Sequence, residues 1–135
     1  MNEPRTVGSA AEWSGGTAEE REVVNKYEQD FINTVRSSGG NNAKRSLIIT
    51  SYAASAEDAA INDIAIPNDK NIIISVHYYA PWNFSDGKTT SFTDADKTEL
   101  SNKFKQLKSK FVDKGIPVII GEFGCVNKAD DSVRE

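Results

Sequence analysis

The chain has 135 residues, enough for one domain with a real core, and 27% of them are charged against 38% apolar. A formal net charge of −4 leaves no basic face for nucleic acid, and no apolar run is long enough to span a membrane. A single cysteine, Cys125, and a single histidine, His77, exclude an internal disulfide and any Cys- or His-rich metal site.

Asn2 to Arg5 begin abruptly, as the tail of a strand, and the segment after Met1 lacks the basic-then-apolar order of a signal peptide. Gly8 to Gly16 reads as a loop carrying Trp13. Thr17-Ala-Glu-Glu20 has the form of a capping box, in which threonine and glutamate satisfy each other's orphan backbone donors. Val24, Tyr27, Phe31 and Val35 then recur at helical spacing and predict an amphipathic helix to about Arg36, stopped by Ser37 to Asn42. Arg45 to Thr50 predicts a short strand, and Ser55 to Ile61 a short helix ended before Pro67.

Asn71 to His77 predicts a second strand, running on through Tyr78 and Tyr79 to Pro81, with a polar loop from Trp82 to Phe92. Thr93 caps a further helix with the stripe Leu100, Phe104, Leu107 and Phe111; Gly115 closes it and Pro117 cannot continue it. Ile116 to Ile120 is an unbroken β-branched run, the pattern of a parallel strand buried on both faces, and it delivers Glu122 between glycines. Helix and strand alternate with no hairpin signal, so the strands are expected to be parallel and joined by right-handed crossovers. Each candidate functional residue then follows a strand on one edge of the sheet, the edge that bears active sites in such folds.

Two glutamates on that edge, Glu3 and Glu122, form a possible glycosidase pair, one protonating the leaving oxygen and one attacking the anomeric carbon. Taken singly, Glu3 reads as a solvated terminal residue, and Glu122 is open between an ion pair and a catalytic role. His77 and Tyr79 share a face of their strand and are placed to orient carboxylates, whereas Tyr78 points into the core. Trp82 and Phe84 offer aromatic faces for stacking on sugar rings, and Trp13 and Tyr52 are weaker candidates of the same kind. Trp82 is equally well read as cover for the edge of the fold. Cys125 reads as a small buried hydrophobe. Asp130 and Asp131 lack the glycine and remaining ligands of a calcium loop.

Asn-Glu-Pro-Arg at 2–5, His-Tyr-Tyr-Ala-Pro-Trp at 77–82 and Gly-Ile-Pro-Val-Ile-Ile-Gly-Glu-Phe-Gly at 115–124 fall in the order and at the spacing of glycoside hydrolase family 5. The sequence resembles that family, especially its bacterial endoglucanase branch of retaining (β/α)8-barrel enzymes, along essentially its whole length. The resemblance implies that Glu3 is the acid/base and Glu122 the nucleophile. It further implies that Asn2 holds the sugar 2-hydroxyl, that His77 and Tyr79 support the carboxylates, and that no metal or other cofactor is used. The implied partner is a β-1,4-glucan polysaccharide or oligosaccharide, with no nucleic acid or membrane, and the implied setting of the parent enzyme is extracellular.

A barrel of this class needs ~250 residues, and the match runs from the end of the fourth strand to the start of the seventh helix. The expected fold is therefore α/β, a partial TIM barrel of parallel strands alternating with helices, one fragment over residues 1–135. Apolar inward faces and unpaired strand edges predict self-association into a homo-oligomer, and truncation is expected to weaken activity through an untethered Glu3. Xylan, mannan or xyloglucan remain alternatives as substrate. An inactive α/β fragment or a carbohydrate-binding module using Trp82 and Tyr79 is the alternative of a different class.

Overall fold

The computed structural model describes residues 1–128; Asp130 and Asp131 lie outside them. Its elements are α1 (Ala18–Ser37), β1 (Leu47–Ser55), α2 (Asp58–Asn62), β2 (Ile72–His77), α3 (Trp82–Ser85), α4 (Asp94–Lys110) and β3 (Val118–Glu122). Short 3₁₀ turns occur at Gly40–Ala43 and Val112–Lys114. The strands form one parallel sheet in the order β1-β2-β3. That order follows from β-branched strands separated by helices, which have no short route to antiparallel pairing.

The core fills the space between one face of the sheet and the helices. Leu47, Ile49, Ile72, Ile74 and Val76 supply the sheet side, while Ile32, Ile61, Leu107 and Phe111 supply the helical side. The other face carries Ile48, which is half exposed, together with Thr50, Ser75, His77 and Ile119. Such a division is expected of a barrel section, whose inner face is completed by strands from elsewhere in the barrel.

Three packing expectations are corrected. On α1 the buried stripe is Val24, Glu28 and Ile32, with Tyr27 and Phe31 exposed. The helix is rotated so that the Glu28 carboxylate reaches the Thr50 N–H on β1 (3.2 Å), a contact that apolar periodicity does not encode. β3 alternates between half-buried and exposed positions instead of being buried on both faces, because among the described residues β2 is its one partner in the sheet. On α4, Leu107 and Phe111 are buried but Phe104 is 48% exposed, meeting Tyr78 edge-on at 6.1 Å between ring centroids.

Boundaries shift as well. β1 runs to Ser55 rather than stopping at Thr50, and α2 starts three residues later than expected. β2 ends at His77, and Trp82 to Ser85 form a helical turn inside the expected loop. Both long helices carry the capping box, Thr17 with Glu20 and Thr93 with Asp96, the first as the sequence signalled.

Near its carboxyl end β1 departs from regular pairing. The register passes from Thr50↔Ser75 to Ser55↔His77, five residues on β1 against two on β2. Ala53 and Ala54 occupy the left-handed region within this bulge, at φ 53° and 50°. Non-glycine residues there cost about 1 kcal/mol or more each and persist where the surroundings enforce them. The bulge turns the Ala53 N–H toward Pro4, whose carbonyl accepts it at 2.9 Å.

Candidate active site

The carboxyl ends of the strands bring together residues far apart in the chain. His77 is the last residue of β2 and pairs with Glu122, the last residue of β3. The amino-terminal segment lies beside the end of β1, held by the Ala53 N–H to Pro4 and by the Thr6 N–H donating to the Tyr52 hydroxyl (3.1 Å). Glu3 is thereby tethered at the edge of the sheet. Its side chain is about one-fifth exposed, which corrects its reading as a frayed, solvated terminus.

His77 Nδ1 lies 2.8 Å from Glu3 Oε1 and 3.4 Å from Glu122 Oε2. His77 Nδ1 is thus within hydrogen-bond reach of Glu3 and near enough to Glu122 to span the two carboxyl groups. Tyr79 donates its hydroxyl to Glu122 Oε2 at 2.9 Å. That hydrogen bond, more than any other influence, pushes the Tyr79 phenol up from its usual pKa. His77 and Tyr79 thus share a face and converge on the glutamates, as the period-2 argument predicts.

One oxygen from each glutamate and a ring nitrogen of His77 all fall within 4.8 Å of one another. This is the one group of three such residues among those described that is spaced to ligate a metal ion. Trp82, at the start of α3, is 60% exposed and shares a shallow surface with Tyr79, Ser85, Asp86 and Val126. Asn2 is exposed beside Glu3.

Three expectations about aromatic and sulfur side chains resolve. Tyr52 is 2% exposed, with its ring against Gly16 and its hydroxyl on Thr6, so it is a packing residue and no sugar platform. Cys125 is exposed rather than buried, because the chain after β3 runs along the surface. Tyr78 packs against the core, and its hydroxyl is buried with no hydrogen-bond partner among the described residues. Burial, with smaller contributions from Glu99 and Glu57, pushes that phenol up to about 12.

Sequence reasoning missed Arg5 and Glu12. Arg5 NH1 donates to the Glu3 carbonyl at 3.0 Å, and Arg5 Nε donates to Glu12 Oε1 at 2.9 Å. The only sequence signal was the arginine that ends Asn-Glu-Pro-Arg.

A family model described as "Cellulase (glycosyl hydrolase family 5)" matches residues 1–135. The chain is 48% identical to Endoglucanase 1 of Ruminococcus albus over 136 residues, covering 99% of this chain and 33% of that protein. It is 46% identical to Endoglucanase B of Clostridium cellulovorans, covering 95% of this chain and 31% of that protein. Among solved structures, a GH5-4 broad specificity endoglucanase from Clostridium acetobutylicum superposes with a TM-score of 0.92 at 47% identity, over 98% of this chain and 42% of that one. A GH5-4 broad specificity endoglucanase from Ruminococcus champanellensis, solved with bound cellotriose, superposes with a TM-score of 0.89 at 45% identity, over 99% of this chain and 40% of that one. The chain spans about a third of the length of these curated relatives. A parallel three-stranded unit with its ionisable cluster at the carboxyl edge is a section of their barrel, and by sequence and fold together the chain belongs to glycosyl hydrolase family 5, the cellulases.

Proposed function

We propose that this chain carries the catalytic carboxylates of a retaining endoglucanase that cleaves internal β-1,4-glucosidic bonds. The observation that carries the reading is the approach of Glu3 and Glu122 to within 4.8 Å around His77 on the carboxyl edge of the sheet. In this reading Glu122 attacks the anomeric carbon while Glu3 gives its proton to the departing glycosidic oxygen. The resulting glycosyl ester is opened by a water that Glu3 deprotonates, and two inversions restore the starting configuration. Tyr79 engages Glu122 Oε2, which leaves Oε1 to approach carbon. His77 spans the two carboxylates, Asn2 meets the sugar 2-hydroxyl, and Trp82 stacks on a sugar ring. The bound cellotriose of the Ruminococcus champanellensis relative supports a β-1,4-glucan as the ligand class. A polymeric substrate of this kind places the work outside the cell.

The proposal extends to assembly. The sheet edges at β1 and β3, the exposed Ile48 and Ile119, and the apolar groove of about 540 Å³ bordered by Phe84, Phe104 and Phe123 are covered by a second copy of the chain.

The test is reducing-sugar release from soluble cellulose across a range of protein concentrations, with sedimentation measured on the same samples. Activity should be weak, rise faster than protein concentration and vanish in Glu122→Gln and Glu3→Gln. A monomer at every concentration would remove the assembly proposal. Cellotriose binding by titration calorimetry without any cleavage would favour the second reading, a carbohydrate-binding module. That reading draws on the exposure of Trp82 and Tyr79.

A further inference from the structure

The loop from Arg5 to Gly16 is folded around one guanidinium group. Arg5 Nε donates to Glu12 Oε1 (2.9 Å), and Arg5 NH1 donates to the Glu3 carbonyl (3.0 Å) and lies 3.5 Å from Glu3 Oε2. The guanidinium carbon stands 4.2 Å from the centroid of the Trp13 ring. Glu12 is held in turn, since its Oε2 accepts the Gly8 N–H at 2.8 Å. That hydrogen bond and Arg5 hold the Glu12 carboxyl below its usual pKa, so it stays an anion beside the arginine. The loop closes on itself through Ser9 N–H to the Thr6 carbonyl and Glu12 N–H to the Ser9 carbonyl.

We propose that Arg5, clamped between Glu12 and Trp13, is the positioning residue that fixes the Glu3 carboxylate opposite Glu122. This rests on the reading of Glu3 as the acid/base. Glu3 lies outside the described strands and helices, and its side chain is set by the groups it meets. Pro4 and Thr6 hold the backbone to the end of β1, but they leave the Glu3 side chain free to rotate. His77 meets one carboxylate oxygen and Arg5 faces the other, which together leave a single orientation. The arrangement calls for arginine, because a planar fork can serve Glu3 and Glu12 along its edge while its face lies on an indole. An ammonium group cannot present three fixed directions of contact, so lysine keeps the charge and loses the geometry. The clamp also gives Trp13 a part that needs no sugar.

The experiment compares the 135-residue chain with Arg5→Met, Arg5→Lys and Glu12→Gln, and uses Arg36→Met as control because Arg36 pairs with Asp69 instead. His77 is the only histidine, so its ring Cε1–H resonance is a single signal and reports the position of Glu3 directly. All three test variants should displace that resonance, and Arg36→Met should leave it in place. The kinetic readout compares cellotetraose with a dinitrophenyl cellobioside, whose leaving group needs no proton. In the test variants kcat/KM should fall by about 10–100-fold on cellotetraose, within the range that misplacing a general acid costs, and by less than about threefold on the activated substrate. Equal losses on both substrates, restoration by Arg5→Lys, or an unmoved His77 resonance in variants that remain folded by circular dichroism would overturn the proposal. If the parent chain cleaves neither substrate, the His77 resonance alone decides whether Arg5 positions Glu3, and an unmoved signal in folded variants overturns the proposal.

Discussion

Gly121 is the tightest point of the sheet beneath the site. A β-carbon added there would stand 2.7 Å from Ser75 Oγ and 3.3 Å from both Cδ2 and Nε2 of the His77 ring, against about 3.4 Å for ordinary contact. Its backbone lies outside the left-handed region, so Gly121→Ala tests sterics alone. Ser75 is 9% exposed on the central strand and has little room to withdraw. Overpacking of this kind costs about 1–3 kcal/mol, which at this chain length is a fall of about 4–12 °C in melting temperature. Part of the strain is relieved by pushing the His77 ring aside, which lengthens its contacts to Glu3 and Glu122. Thermal unfolding followed by circular dichroism, with the His77 ring resonance recorded in parallel, measures both effects. Ser75→Ala combined with Gly121→Ala should recover most of the melting temperature, because it removes the closest atom. A single Gly121→Ala variant that melts within 1 °C of the parent, with its histidine signal unmoved, would refute the reasoning.

Three further outcomes are expected. Burial pushes the Glu28 carboxyl above its ordinary value of 4.5, so the folded chain binds that proton more tightly than the unfolded one. The resulting stability is full below the unfolded value and is lost as pH rises through the folded one. Glu28→Gln should therefore flatten the fall in melting temperature just above pH 4.5, and an unchanged slope would count against it. Phe111 is fully buried among the core residues, and Phe111→Ala should cost about 3–5 kcal/mol in urea unfolding; a loss under about 1 kcal/mol would mean the core collapses around the gap. Gly16 has φ +71° and its added β-carbon would stand 2.9 Å from the Tyr52 ring, whereas Gly39 has φ +83° and open space. Gly39→Ala should cost only the backbone strain of about 1 kcal/mol, and Gly16→Ala should cost about 1–3 kcal/mol more through the clash. Equal losses at the two positions would show that Tyr52 yields freely.

The alternation of helices and strands was legible in the chain because each element carries its own local chemistry. Thr17 with Glu20 states a helix start, and Ile72 to Ile74 cannot avoid a strand; Gly115, expected to close α4, instead caps the 3₁₀ turn Val112–Lys114 after α4 has ended at Lys110. Parallel pairing followed from the helices between the strands, and it placed His77 and Glu122 on a common edge. His77 and Tyr79 shared a face by the period of two. These properties depend on neighbours in sequence, so the sequence alone determined them.

Tertiary structure decided what depends on contacts between distant segments. Glu3 at the amino end looked unrestrained because the groups that hold it, Ala53, Tyr52 and His77, are some fifty to seventy residues away in the chain. The phase of α1 was set by Glu28 reaching a β1 amide, a polar contact that a count of apolar residues reads in the wrong direction. Tyr52 and Cys125 exchanged their expected environments, since aromaticity and small size say nothing about which face of a bulge or which side of a surface segment a residue occupies. Local chemistry chose the elements and their order; the meeting of Glu3 with His77 and Glu122 exists only once the sheet has brought those segments together.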